Sequence, residues 1–126
     1  MKQVAGTIML IDKTGAPKFL VTKSAADYHL MLADQEDGRT PLATILAAIK
    51  DQLGLNVNDL RLGELSNVII EDQDVSLFVF EWGNIAAQQL SENITSLQAK
   101  GYTFEHPKTL RGLLTQIDMS GVPHFN

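Results

Sequence analysis

The stretch GRTPLATILAAIKDQLGL, residues 38–55, carries the clearest secondary-structure signal in the chain. Thr40 is a good N-cap, Pro41 suits the first helical position, and Gly54 is typical of a helix end. Between them, large aliphatic side chains recur at helical spacing on one face: Leu42, Ile45, Leu46, Ile49 and Leu53. These features predict one amphipathic helix over about 41–53.

The sequence on either side of this helix predicts β-strands joined by tight turns. Three β-rich runs precede it, and two longer runs that follow resemble a hairpin. Beyond the hairpin come a mixed segment with helix, a short extended piece and a Pro-initiated helical pattern. The predicted strands are 4–12, 18–23, 28–33, 60–70, 75–82 and 102–106, and the later helical segments are 84–101 and 107–118. This order predicts an α/β fold of the α+β type, with a mixed, curved sheet flanked by helices.

Composition restricts the possible functions. The chain has 126 residues, which predicts a single domain over 1–126, and it has no cysteine, which excludes disulfides and thiol catalysis. The net charge is −5 and the basic residues are scattered, so duplex nucleic acid is not expected as a partner. No apolar run approaches the roughly 20 residues that cross a bilayer. We therefore expect a cytoplasmic protein without a membrane partner.

The helix and its surroundings resemble the Nudix hydrolase family, whose motif is G-x5-E-x7-R-E-U-x-E-E-x-G-U, with U aliphatic. Many members fill the motif with a run like PGETPEEAALRELKEELGL. Upstream, VAGTIML and FLVTK resemble the first two strands of the family, so the resemblance spans about 4–106. The residues that coincide with the common filling are Gly38, Thr40, Pro41, Leu46, Lys50, Leu53, Gly54 and Leu55. The resemblance implies a Nudix-like domain with a Nudix box at 33–55.

The same alignment implies that the box is degenerate. Its first Gly position holds Ala33, its first Glu position Arg39, its Arg-Glu pair Ala47-Ala48, and its Glu-Glu pair Asp51-Gln52. In the family, carboxylates at the last three acidic positions share one helical face and hold divalent metal against a diphosphate. Here that face keeps one carboxylate. The cleft positions implied by the resemblance are Arg39, Ala47, Ala48, Asp51 and Gln52.

Two functions follow from this pattern. The first is a Nudix-superfamily domain that has lost metal-dependent hydrolysis and acts as a ligand-binding or interaction module, without a cofactor. Its ligand would be a nucleotide or another small phosphorylated molecule. The alternative is a divergent Mg²⁺-dependent hydrolase of nucleoside diphosphates linked to another moiety, with Asp51 binding metal alongside Glu36 or Asp37. A third hypothesis is a plain structural or oligomerisation domain, such as a homo-oligomer, in which the apolar run VSLFVF, residues 75–80, buries one face in a partner.

Several other side chains are candidates for ligand contacts. Arg39, near the helix N-terminus, would either contact a phosphate or carboxylate or pair with Glu36 or Asp37. Glu105 and His106 fall where some family members place a base or a substrate contact. Aromatic rings would either stack on a base or belong to the core: Tyr28, Phe80 and Trp82.

Overall fold

The structure of the protein is a computed structural model that describes residues 3–11, 13–24, 27–35, 38–70, 73–83, 85–106 and 117–118. These residues form eight strands: β1 (Gln3–Ile11), β2 (Pro17–Ser24), β3 (Asp27–His29), β4 (Met31–Asp34), β5 (Leu60–Ile70), β6 (Gln73–Trp82), β7 (Tyr102–Glu105) and β8 (Ile117–Asp118). The helices are α1 (Pro41–Ala48), which continues as a π-helical turn (Ile49–Leu53), a short 3₁₀ turn (Val57–Asp59) and α2 (Ala87–Ala99).

The strands form one mixed sheet, as the sequence predicted, and their order in it is β3-β2-β1-β6-β5-β8. Strand β1 runs parallel to β6, whereas the other pairs are antiparallel. Residues 28–33, predicted as one strand, belong to two strands that meet at Leu30. Strand β3 pairs with β2, and β4 pairs with the N-terminal half of β1. The chain therefore changes its strand partner at Leu30, from β2 to β1.

Each face of the sheet carries its own core. The face that packs against α1 includes Val4, Ile8, Phe78, Phe80 and residues of both helices. The opposite face includes Ala5, Phe19, Val21, Leu30, Val68, Val75, Leu77 and Val79. The run at 75–80 thus alternates between two cores, and its large apolar side chains are all buried within the chain. The hypothesis that this strand buries one face in a partner is wrong, because neither of its faces is exposed.

The predicted helix over 41–53 is α-helical only as far as Ala48. A continued α-helix would bring Gln52 onto the side of Ile45, because residues seven apart lie on the same side. The π-helical turn is wider, with bonds between residues five apart, and it buries Leu53 at 1% exposure while Gln52 stays exposed. The change in helix type thus accompanies the exposure of Gln52 and the burial of Leu53.

Two other predicted helical segments have different outcomes. The segment 84–101 contains α2, whose Leu97 is fully buried against the same core as α1. The predicted helix over 107–118 lies mostly outside the described residues, and its last two residues are instead the strand β8, paired with β5 at Asn67 and Val68. None of the described helices is long and apolar enough to cross a membrane.

Candidate functional site

The N-terminus of α1 is capped as the sequence predicted. The side-chain oxygen of Thr40 accepts a hydrogen bond of 3.1 Å from the backbone N–H of Ala43. The N–H of Thr44 donates to the Thr40 carbonyl at 3.0 Å. Arg39 is exposed directly before this cap, and its carbonyl accepts a hydrogen bond from the side chain of Gln35. Arg39 therefore lies beside the positive end of the helix, where its guanidinium reaches solvent.

The positions that the resemblance assigns to metal ligands differ in their environments. Ala48 is 8% exposed and belongs to the core between α1 and the sheet. Ala47 is half-buried, whereas Asp51 and Gln52 are exposed. The π-helical turn begins immediately after Ala48, so positions 48, 51 and 52 do not share the face of a regular α-helix. The sequence prediction of one common face assumed α-helical geometry throughout, whereas the structure has a π-helical turn at 49–53.

The described side chains do not fit a metal cluster built from several carboxylates. Magnesium takes oxygen ligands, usually carboxylates together with water and phosphate. Asp51 alone supplies a carboxylate among positions 48, 51 and 52. Across the described part of the chain, no three His, Asp or Glu side chains come together in a group that could hold a metal ion. Glu36 and Asp37, the other predicted ligands, lie outside the described residues.

Glu105 and His106 contact neighbouring groups at the end of β7. The carboxylate of Glu105 accepts a hydrogen bond of 2.9 Å from the hydroxyl of Thr103. The Nδ1 atom of His106 lies 3.3 Å from the carbonyl oxygen of Pro17, which begins β2. The first contact lies within β7, and the second connects the end of β7 to the start of β2. A role for either residue as a base stays a prediction.

The three aromatic candidates differ in their exposure. Phe80 is 2% exposed and stacks on Phe78 with 6.4 Å between ring centroids, so its ring belongs to the core and cannot stack on a base. Tyr28 is half-buried beneath the ammonium group of Lys23, which lies 5.6 Å from its ring centroid. Trp82 is also half-buried and packs against Phe104 at 5.9 Å. Tyr28 and Trp82 thus keep part of a ring at the surface.

Two residues next to the candidate site were not identified from the sequence. Thr44, one turn before Ala48, is 5% exposed, and its hydroxyl has no hydrogen-bond partner within the described residues. Lys100, just beyond α2, donates a hydrogen bond of 2.8 Å to the carbonyl oxygen of Leu53. No local sequence pattern predicts this contact, because its two residues lie 47 positions apart in the chain.

A scan of the sequence against protein-family models finds no match, and a search of curated proteins finds none. Solved structures do match. An Ap4A hydrolase from C. elegans superposes with a TM-score of 0.56 at 9% identity, covering 91% of this chain and 84% of that one. The chain has a Nudix-like fold. A second structure of that hydrolase, a binary complex, gives a TM-score of 0.54 at 12% identity and covers 68% of each chain.

The Nudix hydrolase RenU from M. smegmatis has the same fold, with a TM-score of 0.53 and 12% identity. The match covers 67% of this chain but only 62% of RenU. The Nudix-like fold predicted from residues 4–106 is therefore confirmed. Identities of 9–12% establish a shared backbone and leave the chemistry to be argued from the side chains of this chain.

Proposed function

We propose that this protein is a Nudix-like module that binds a nucleotide or another small phosphorylated ligand without metal-dependent hydrolysis of it. The observation that carries this proposal is the burial of Ala48 at the position where the family motif requires a glutamate. Its methyl group packs in the core and offers no oxygen. Of the three positions that would surround a metal, one retains a carboxylate, Asp51.

The charges at the candidate site support the proposal that metal-dependent hydrolysis has been lost. Arg39 replaces a glutamate of the motif and places a positive charge before the helix, where the backbone already presents positive partial charge. Asp51 contributes one negative charge on the exposed side of the π-helical turn. The described site is close to neutral, whereas a multi-carboxylate site attracts divalent cations strongly. A cation that neutralises a diphosphate would bind weakly here.

The same features suit an anionic ligand. An exposed guanidinium can form paired hydrogen bonds with a phosphate group, and a helix N-terminus attracts phosphate through its partial charge. Gln52 is exposed and carries both a donor and an acceptor for a polar group. One structural neighbour is an Ap4A hydrolase, which makes phosphorylated nucleotides a reasonable first class of ligand to test.

The test is isothermal titration of the protein with ADP-ribose, dNTPs and Ap4A, each with and without Mg²⁺ or Mn²⁺. Phosphate release is followed in parallel. We expect heat of binding without turnover, and weaker binding in an Arg39→Gln variant. Lys18→Gln, a charge change on β2, is the matched control and should bind as the unmodified chain does. Absence of binding to any of these compounds would overturn the assignment of a phosphorylated ligand.

Metal-dependent turnover of any of these compounds would contradict the proposed loss of hydrolysis and establish the alternative function, a divergent hydrolase. In that case Glu36 and Asp37 become the first residues to replace, followed by Glu105. Each carboxamide variant, such as Glu36→Gln, would then separate a lost metal ligand from a lost structural contact. A drop in turnover that excess Mg²⁺ restores would identify a metal ligand.

A further inference from the structure

The end of α2 is joined to the end of the π-helical turn. Lys100 donates its hydrogen bond to the last carbonyl of that turn, at Leu53. Helix C-termini leave such carbonyls without partners, and a cation there also interacts favourably with the helix dipole. A Cβ added to Gly54 would lie 2.7 Å from the Lys100 ammonium nitrogen. Gly54 therefore leaves the space that this contact occupies.

Lys100 itself is held in place by the fold. Its backbone N–H donates to the Leu97 carbonyl at 3.0 Å, and the N–H of Gly101 donates to Gln98 at 3.1 Å. Leu97 is fully buried in the same core as Leu53. The backbone at both ends of the contact is thus anchored in one core, which keeps the ammonium group within reach of the turn.

The helix type at 49–53 decides where the candidate site residues point. In a continued α-helix, Gln52 would face the side of Ile45 and the core. In the π-helical turn, Gln52 and Asp51 are both exposed, and Leu53 is buried. A change of helix type would redirect both polar side chains, with no change in the sequence that carries them.

We propose that Lys100 is a positioning residue that holds 49–53 in the π-helical form and so directs Asp51 and Gln52 to the surface. The ammonium group satisfies the Leu53 carbonyl in the observed geometry, where Leu53 is buried and Gly54 turns the chain. Gly54 has a φ of 68°, a left-handed conformation that glycine adopts readily. This proposal refines the proposed function, since it concerns the same surface, but its test requires no ligand.

The absence of native cysteine allows two spin labels to be placed without background. One pair joins Gln52→Cys to Asn67→Cys on β5, and their distance distribution is measured by pulsed electron resonance. We expect Lys100→Met to shift or broaden this distribution by about 3–4 Å, because one residue of register rotates a helix by about 100° at a Cα radius of about 2.3 Å. Lys100→Arg, which keeps a cationic donor, should restore it.

The control pair joins Ala43→Cys, on the regular part of α1, to the same Asn67→Cys label. Its distribution should stay unchanged in every variant, since general loosening of the fold would move both pairs. An unchanged distance from position 52 in folded Lys100→Met would overturn the proposal, whatever the ligand titrations show. If that variant does not fold, Lys100→Gln, which keeps part of the aliphatic stem, serves for the same comparison and the same outcomes.

Discussion

Ile45 packs so closely against Gly6 that a Cβ on residue 6 would lie 2.7 Å from the Cγ1 atom of Ile45. Gly6 lies within β1, paired with Met31 on one side and Phe78 on the other. Ile45 has no exposed surface. The missing side chain at position 6 lets α1 rest on the centre of the sheet. This contact therefore determines how closely α1, which carries the candidate site, packs against the sheet.

Replacement of Gly6 with alanine should destabilise the protein by about 1–3 kcal/mol, the usual cost of overpacking a core. The new methyl group would meet two atoms of Ile45 closer than 3.0 Å, and the Met31 methyl at 3.3 Å. Urea unfolding measures the loss. Gly63→Ala is the control, because its Cβ would have only ordinary contacts, beginning at 3.5 Å from the Val79 carbonyl. Equal losses for both variants would show that strand glycines are needed for another reason.

Truncation of Ile49 to alanine should cost about 2–5 kcal/mol, as expected for a fully enclosed aliphatic side chain. Ile49 is 1% exposed and belongs to the core beneath α1. Leu42→Ala, on the same helix but 37% exposed, should cost clearly less. Both variants are compared by chemical denaturation. A negligible loss for Ile49→Ala would contradict the orientation of the helix, and with it the alignment to the Nudix motif.

Removal of the helix cap by Thr40→Ala should cost about 1 kcal/mol. The hydroxyl of Thr40 satisfies the N–H of Ala43, which has no partner inside the helix. Thr95→Ala, at an exposed site within α2, is the matched control and should be neutral or slightly stabilising, since alanine is the better helix former. The two melting temperatures separate capping from helix propensity. Losses of equal size in both variants would show that the loss at Thr40 is not specific to capping.

The sequence predicted what depends on neighbouring residues and missed what depends on distant ones. The start of α1 was predictable because Thr40 and Pro41 act locally. The π-helical turn was not, because the residue that contacts its last carbonyl, Lys100, is 47 residues away. The division of 28–33 into two strands was also missed, since it depends on the pairing of β3 with β2 and of β4 with β1. The candidate site positions stay a prediction, and the directions of their side chains depend on the tertiary structure.

The free energy of unfolding should fall at alkaline pH because the phenol of Tyr102 loses its proton there. Burial raises the pKa of its phenol above the ordinary value of 10.0. The folded protein then holds this proton more tightly than the unfolded chain does, so its contribution is complete below about pH 10 and declines as the pH rises further. Tyr102→Phe should weaken this alkaline decline. In a Tyr28→Phe variant, where Tyr102 is the remaining tyrosine, absorbance of the tyrosinate reports the raised pKa directly.

Asp51 provides the strictest test of the lost metal site. Its side chain is exposed, so Asp51→Ala should change the free energy of unfolding by less than about 0.5 kcal/mol. A ligand that binds only the folded state raises its melting temperature, and removal of a ligating carboxylate abolishes that rise. We expect millimolar Mg²⁺ to leave the melting temperatures of the unmodified chain and of Asp51→Ala equally unaffected. A rise that occurs only with Asp51 present would mean that this carboxylate binds metal, and would return the protein to the class of divergent hydrolases.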